Sequence, residues 1–191
     1  MPMRLSELHP STVHFPIALV PLAVGADAVG YFTGSRRARE MGETCIVGAV
    51  IAAAVAGVFG LVAQEEVELD DAGYDVLKTH RTLNLGALVA LGTMAYLRVR
   101  RKKPSLGYVL AGIGMVGLVA VSAYLGGKLV YDHGAGVAKT RGLHGRDPQL
   151  RIADALAVTA RAAKDIGRGV VHAAKDTAKG DILPAFGARA E

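Results

Sequence analysis

The chain has no tryptophan and one cysteine, Cys45. A lone thiol excludes an intramolecular disulfide, a paired-cysteine redox motif and a thiolate-held iron–sulfur cluster within the chain. Cys45 sits inside an apolar run, where it reads as a small hydrophobe. With tryptophan missing, the aromatic residues suited to a membrane–water boundary are tyrosines, and Tyr96, Tyr124 and Tyr131 fall near the ends of apolar runs. Soluble-enzyme signatures are missing too. The 24 glycines form no phosphate-cradling loop between a strand and a helix. There is no His-Glu-x-x-His, no nucleophile elbow and no zinc-finger spacing.

What the chain has instead is apolar length. Of its 191 residues, 51% are hydrophobic, and they lie in long runs rather than in the alternation of a soluble domain. A helix needs about 20 mostly apolar residues to cross the hydrocarbon core, where no water satisfies an irregular backbone. Four segments qualify: Thr12–Phe32, Thr44–Ala63, Leu83–Val99 and Leu106–Tyr131. The third is short; Val76 and Leu77 would extend it upstream, and Thr79 is a candidate cap if it starts late. The first run has only Arg4 before it and Arg36, Arg37 and Arg39 after it, the reverse of a cleaved signal, so it is expected to be a retained span. The expected fold is all-α: a polytopic four-helix transmembrane bundle over residues 8–137, then a polar tail over 138–191. Pro21 removes the backbone bond to Ile17 and predicts a kink. Small residues at helical spacing, Ala49, Ala53, Gly57 and Gly60 on span two and Gly107, Ala111, Gly114, Gly117, Ala123 and Gly127 on span four, predict close helix packing.

The net charge of +5 would suggest nucleic acid in a soluble protein, but here the basic residues cluster at the ends of apolar runs and read as membrane topology. Loop one carries Arg36, Arg37 and Arg39; loop three carries Arg98, Arg100, Arg101, Lys102 and Lys103. The middle loop is acidic, with Glu65, Glu66, Glu68, Asp70, Asp71 and Asp75 against Lys78 and Arg81. Positive charge inside therefore places loops one and three in the cytoplasm and both termini outside, although Lys139, Arg141 and Arg146 after span four oppose this. In the tail, Ile152, Leu156, Ala163, Ile166 and Val170 recur between Arg161, Lys164, Arg168 and Lys175. That pattern suits either an amphipathic helix on the membrane surface or a mobile tail.

The chain holds six histidines. His144 and His172 lie in the polar tail and are assigned no role. His9 and His14 open span one, His80 opens span three and His133 closes span four, so all four belong to one leaflet whichever way the chain inserts. An isolated histidine at a helix end reads equally well as an interfacial polar residue. The local sequence adds constraints: Pro10 is expected to hold His9 in an entry turn, and Gly134 looks like a helix C-cap fixing His133. Fixed imidazoles from different helices are what metal or bis-histidine haem ligation requires, and Asp132, Glu65 and Glu66 are candidates to orient their outer nitrogens. Asp27, late in span one, is a candidate proton or ion site, against a plainer reading in which it reaches the inner headgroups or pairs with Arg36. Lys128 is expected to snorkel and pair with Asp132, and it could hold a haem propionate. Asn84, one turn from His80, could bond to a ring or stabilise the bundle.

Two strings carry a resemblance: Leu8-His9-Pro10-Ser11-Thr12-Val13-His14-Phe15-Pro16-Ile17-Ala18-Leu19, and Leu125-Gly126-Gly127-Lys128-Leu129-Val130-Tyr131-Asp132-His133-Gly134-Ala135-Gly136-Val137. They resemble the signatures of a bacterial family of predicted membrane proteins, domain-of-unknown-function family 2231, over Leu8 to about Val137. The resemblance implies a multi-pass protein of the bacterial inner membrane and carries the family's motif histidines onto His9, His14, His80 and His133. Some members of that family are joined to or neighboured by Rieske-type or other electron-transfer proteins, which implies a redox role. A Rieske-type or cytochrome partner would then be a separate chain, since no cysteine pair is present here.

Three functions follow as expectations. The first is a b-type haem or similar redox module near the outer face, with His14, His80 and His133 as foremost ligands and His9 as a further ligand or an orienting group. The second is a copper- or zinc-binding or proton-linked transport unit built on the same histidines and Asp27, which would need to dimerise, four helices being few for a transporter. The third is an accessory or scaffold subunit whose histidines only make interfacial hydrogen bonds. Electron transfer rather than catalysis is expected if haem is bound.

Overall fold

The computed structural model describes residues 7–136 and 155–187. Among them it contains six helices and no strand: α1 (Leu8–Thr12), α2 (His14–Thr33), α3 (Arg36–Ala63), α4 (Asp71–Arg100), α5 (Leu106–Tyr131) and α6 (Ala155–Ala178). Four helical stretches, Leu8–Thr33, Arg36–Ala63, Asp71–Arg100 and Leu106–Tyr131, are long and apolar enough to cross a membrane. At about 1.5 Å per residue each reaches roughly 40 Å or more, beyond the roughly 30 Å hydrocarbon core, so their ends lie at headgroup depth.

The helices outrun the apolar segments that announce them, and polar caps show why. Ser35 accepts from the Ala38 amide and starts α3 eight residues before Thr44, and Arg36 and Glu40 pair one turn apart at 2.7 Å. Asp70 accepts from the Gly73 amide at 2.8 Å and starts α4 at Asp71. Each side chain satisfies an amide that the first helical turn leaves without a partner. Thr79 is therefore no cap; it lies inside α4 and donates to the Asp75 carbonyl. His9 likewise sits within α1 rather than in an entry turn. Pro10 is tolerated there because a first-turn nitrogen needs no hydrogen. α2 ends at Gly34, whose φ of 71 is left-handed.

The described chain falls into two compact units. One comprises residues 12–55 and 84–123. Its core joins Val20 and Ala23 of α2, Ile46 and Ala49 of α3, Leu91 and Met94 of α4, and Met115 of α5. Here Gly112 lets α5 approach α2, since a Cβ would stand 2.8 Å from Val24. The stripe expected on Gly107, Gly114, Gly117 and Gly127 instead meets nothing within 4 Å. α5 carries glycine on several faces, so small-residue spacing alone did not select the packed one. A buried ion pair closes this unit. The Arg98 and Asp27 side chains are each only 1% exposed, with Arg98 Nε 2.9 Å from Asp27 Oδ1. Arg98 also donates to Glu43 and to the carbonyls of Arg39 and Arg101. Asp27 thus pairs with Arg98 rather than Arg36, which Glu40 engages one turn along its own helix.

The other unit comprises residues 7–11, 56–83, 124–136 and 155–187 among those described. Val76, Leu125 and Leu129 form its small apolar core, with Leu69 and Leu77 packed beside them. From Leu156 onward the amphipathic pattern of the tail is seen as α6; Lys139, Arg141, His144, Arg146 and Ile152 lie outside the described residues.

Candidate cofactor site

The histidine-bearing unit brings His9 of α1 against His80 of α4. Their ring centroids are 6.5 Å apart and their planes stand at 85°. Each ring lies over a glycine of a neighbouring helix. A Cβ at Gly60 would stand 3.1 Å from both Cε1 and Nδ1 of His9, and one at Gly126 would stand 3.3 Å from Cε1 of His80. Those are tighter than ordinary van der Waals contacts, so the two glycines provide the volume that the imidazoles occupy.

The His9 ring is also fixed in rotation. Its Nδ1 is 2.9 Å from the Ala56 carbonyl oxygen, one turn before Gly60 on α3. A carbonyl can only accept, so Nδ1 donates and the neutral ring keeps its lone pair on Nε2. The Nδ1–Cε1 edge therefore lies against α3. A first-turn histidine bonded to a main-chain carbonyl is the usual way a protein sets which nitrogen can ligate.

His133 is held in the same manner by a different group. Its Nδ1 is 3.0 Å from Asp70 Oδ1, and its side chain is 13% exposed. Asp70 thus caps α4 and orients His133 with one oxygen. The Gly73 amide and the His133 ring together hold the Asp70 carboxyl below the ordinary aspartate range. A Cβ at Gly73 would stand 3.1 Å from His133 Cγ, a third glycine beside a motif histidine. Gly134 takes a left-handed φ of 66 as the chain leaves α5, as its place after His133 suggests.

The remaining expected residues are placed as follows. His14 belongs to the other unit, at the start of α2, and is exposed. Lys128 pairs with Asp132 at 3.3 Å, as expected, and lies 6.0 Å from the centre of the Tyr124 ring. Among the described residues no group of three or more His, Cys, Asp or Glu side chains is gathered to hold a metal ion. Of the carboxylates that the sequence nominated as orienting groups, Asp132 pairs with Lys128, Glu65 with His172 and Glu66 with Arg161. His172, given no role from sequence, bonds through Nδ1 to Glu65 at 2.9 Å. Sequence reasoning missed Asp70 and Ala56. The signal for Asp70 was its place before the helical run that begins Asp71-Ala72-Gly73, a cap position. Ala56 acts through its backbone, which no residue type advertises.

Neither the curated proteins nor the solved structures contain a match to the chain. A family model described as "Predicted membrane protein (DUF2231)" matches residues 6–139. That segment includes the four apolar helices and the motif residues His9, His14, His80 and His133. The match covers more than half of the chain, which therefore belongs to this family of predicted membrane proteins.

Proposed function

We propose that the paired imidazoles of His9 and His80 would hold a b-type haem, and that the protein is a small electron-transfer module of the membrane. The observation that supports this is the pairing itself. Two imidazoles from different helices, with ring centroids 6.5 Å apart, are the residues that would hold the iron of a bis-histidine haem. Haem asks the protein for two axial ligands only. Zinc and copper(II) sites take three or four, and no such group is gathered among the described residues. The donor set therefore favours haem over copper or zinc.

When bound, haem supplies a reversible one-electron couple. The chain's own residues bind and orient. The Ala56 carbonyl sets the His9 tautomer, and Gly60 and Gly126 admit the rings. Lys128, beside Asp132, offers a cation for an anionic propionate at headgroup depth. Loop charge supports a reading in which this end faces outward from the bacterial inner membrane, where a Rieske-type or cytochrome chain would exchange electrons with it. The contact of Arg98 Nε with both Asp27 oxygens supports reading this pair as a structural lock in preference to an ion path.

A scaffold reading, in which the imidazoles only hydrogen-bond, draws on the same His9–Ala56 contact. An oxidised-minus-reduced visible spectrum of detergent-purified protein, expressed with adequate haem supply, separates the two. Sharp alpha and beta bands with a Soret shift are expected. A flat spectrum from folded, haem-exposed protein would leave the scaffold reading standing.

A further inference from the structure

The helix α6 is amphipathic in an inverted sense. The face turned to the protein is mostly ionic: Arg161, Asp165, His172 and Asp176 lie along one side, with Gly169 between them. Arg161 donates to Glu66 from Nη2 at 2.7 Å and from Nε at 3.1 Å. His172 engages Glu65 at 2.9 Å, and Arg81 binds Asp176 while also donating to Gln64 at 3.0 Å. At Gly169 a Cβ would stand 3.0 Å from the Leu61 carbonyl oxygen, so the two backbones are in close approach. Past the helix, Lys78 pairs with Asp181 and the Ala185 amide donates to Thr79 Oγ1 at 2.9 Å.

The opposite face is apolar and uncovered. Leu156 is 90% exposed, Val170 53% and Val171 48%, with Ala163 and Ala174 exposed between them. Along one border of that stripe runs a row of exposed basic residues, Lys164, Arg168, Lys175 and Lys179. In a water-soluble protein the apolar side of such a helix turns inward and the charges turn out. Here α6 turns its charges onto the ends of α3 and α4, at the edge of two membrane spans, and leaves its apolar side facing away.

We infer that α6 lies in the membrane interface, its Leu156–Val171 side in the headgroup–acyl boundary and its basic border on anionic phospholipid headgroups. Two features of the helix fit this occupant. The apolar stripe is continuous along the helix, as partial insertion requires, and the basic row is at its border, where headgroups sit when the stripe is inserted. The ionic side is at the same time screened from lipid by its pairing with Glu65, Glu66 and Arg81. The helix is thereby a strap that covers polar residues at the span ends with an apolar outer surface.

The test uses the full chain with Cys45→Ala, reconstituted in nanodiscs of phosphatidylcholine with or without phosphatidylglycerol. Nitroxides are placed singly by Ala163→Cys, Ala174→Cys or Arg168→Cys. With phosphatidylglycerol, labels at 163 and 174 should be relaxed several-fold more by oxygen than by an aqueous nickel chelate, with the preference reduced or reversed at 168. Exchanging Lys164, Arg168, Lys175 and Lys179 for Gln should abolish the difference that phosphatidylglycerol makes. Nickel-accessible labels at 163 and 174 would overturn the inference. So would spin–spin broadening that appears only with two chains per disc, which would assign the face to a second copy.

Discussion

Arg98→Ala isolates the energetics of the buried ion pair. In the folded protein Arg98 and Asp27 are both 1% exposed, and Arg98 Nε stands 2.9 and 3.1 Å from the two Asp27 oxygens. Removing the guanidinium leaves a carboxylate without its counter-charge and the Arg39 carbonyl without its 2.6 Å donor. Breaking a buried pair from one side costs about 3–5 kcal/mol, most of it the desolvation of the partner left behind. At about 1.4 kcal/mol per tenfold, the unfolding equilibrium should rise by roughly a hundredfold to a few thousandfold. Relocation of Asp27 toward solvent is hindered, because Gly42 lies directly against its carboxylate and a Cβ there would stand 2.6 Å from Cγ. Asp27→Asn should remove much of the penalty imposed by Arg98→Ala, since the amide is of the same shape and carries no charge. Reversible unfolding in mixed micelles, followed by circular dichroism, measures all three variants. If Arg98→Ala lies within about 1 kcal/mol of the parent, or the two changes simply add, the pair is not the lock described.

Glycines at the ring contacts should be intolerant of bulk. Gly60→Val and Gly126→Val are each expected to cost about 1–3 kcal/mol of stability through overpacking, and to abolish haem retention measured as haem per chain. Gly114→Ala, which meets nothing within 4 Å, should change neither. The pH dependence at Asp70 has a definite sign. Its folded carboxyl is held below the ordinary value, first by the Gly73 amide and then by His133. The stability it contributes is therefore present above about pH 4 and is lost as pH falls through the lower folded value. Thermal melts between pH 6 and pH 3 should show Asp70→Asn losing less on acidification than the parent. Asp165 has the opposite sense. Burial raises its carboxyl above the usual range despite Arg161 and Arg168 nearby, so Asp165→Asn should stabilise the protein at neutral pH. That gain should shrink as pH falls through the raised value toward the ordinary one.

How much could be read in advance varied with the kind of signal. The four spans were legible because roughly 20 apolar residues in succession have few other uses. Their ends were not, because α3 and α4 continue through charged turns that capping and one-turn ion pairs stabilise, as at Ser35, Asp70 and Arg36. That Asp27 needed a partner was legible. That Arg98 would be chosen from a run holding Arg98, Arg100, Arg101, Lys102 and Lys103 was not, since only one of them faces inward. The histidines at the helix ends were visible in the sequence, and three of them, His9, His80 and His133, fall in one unit while His14 falls in the other. The pair that meets, His9 with His80, depended on α1 being helical and on two glycines that sequence spacing did not separate from the others. Lys128 with Asp132 was read correctly because a four-residue spacing within one helix needs no tertiary knowledge.

The central claim is that His9 and His80 form one ligand pair, and haem titration of single variants tests it most directly. The parent should take up one haem per chain with a six-coordinate low-spin spectrum. His9→Ala and His80→Ala should each lose that spectrum, while His14→Ala, altering an exposed ring of the other unit, should keep it. Retention of the low-spin spectrum in both His9→Ala and His80→Ala, or its loss in His14→Ala alone, would contradict the pairing.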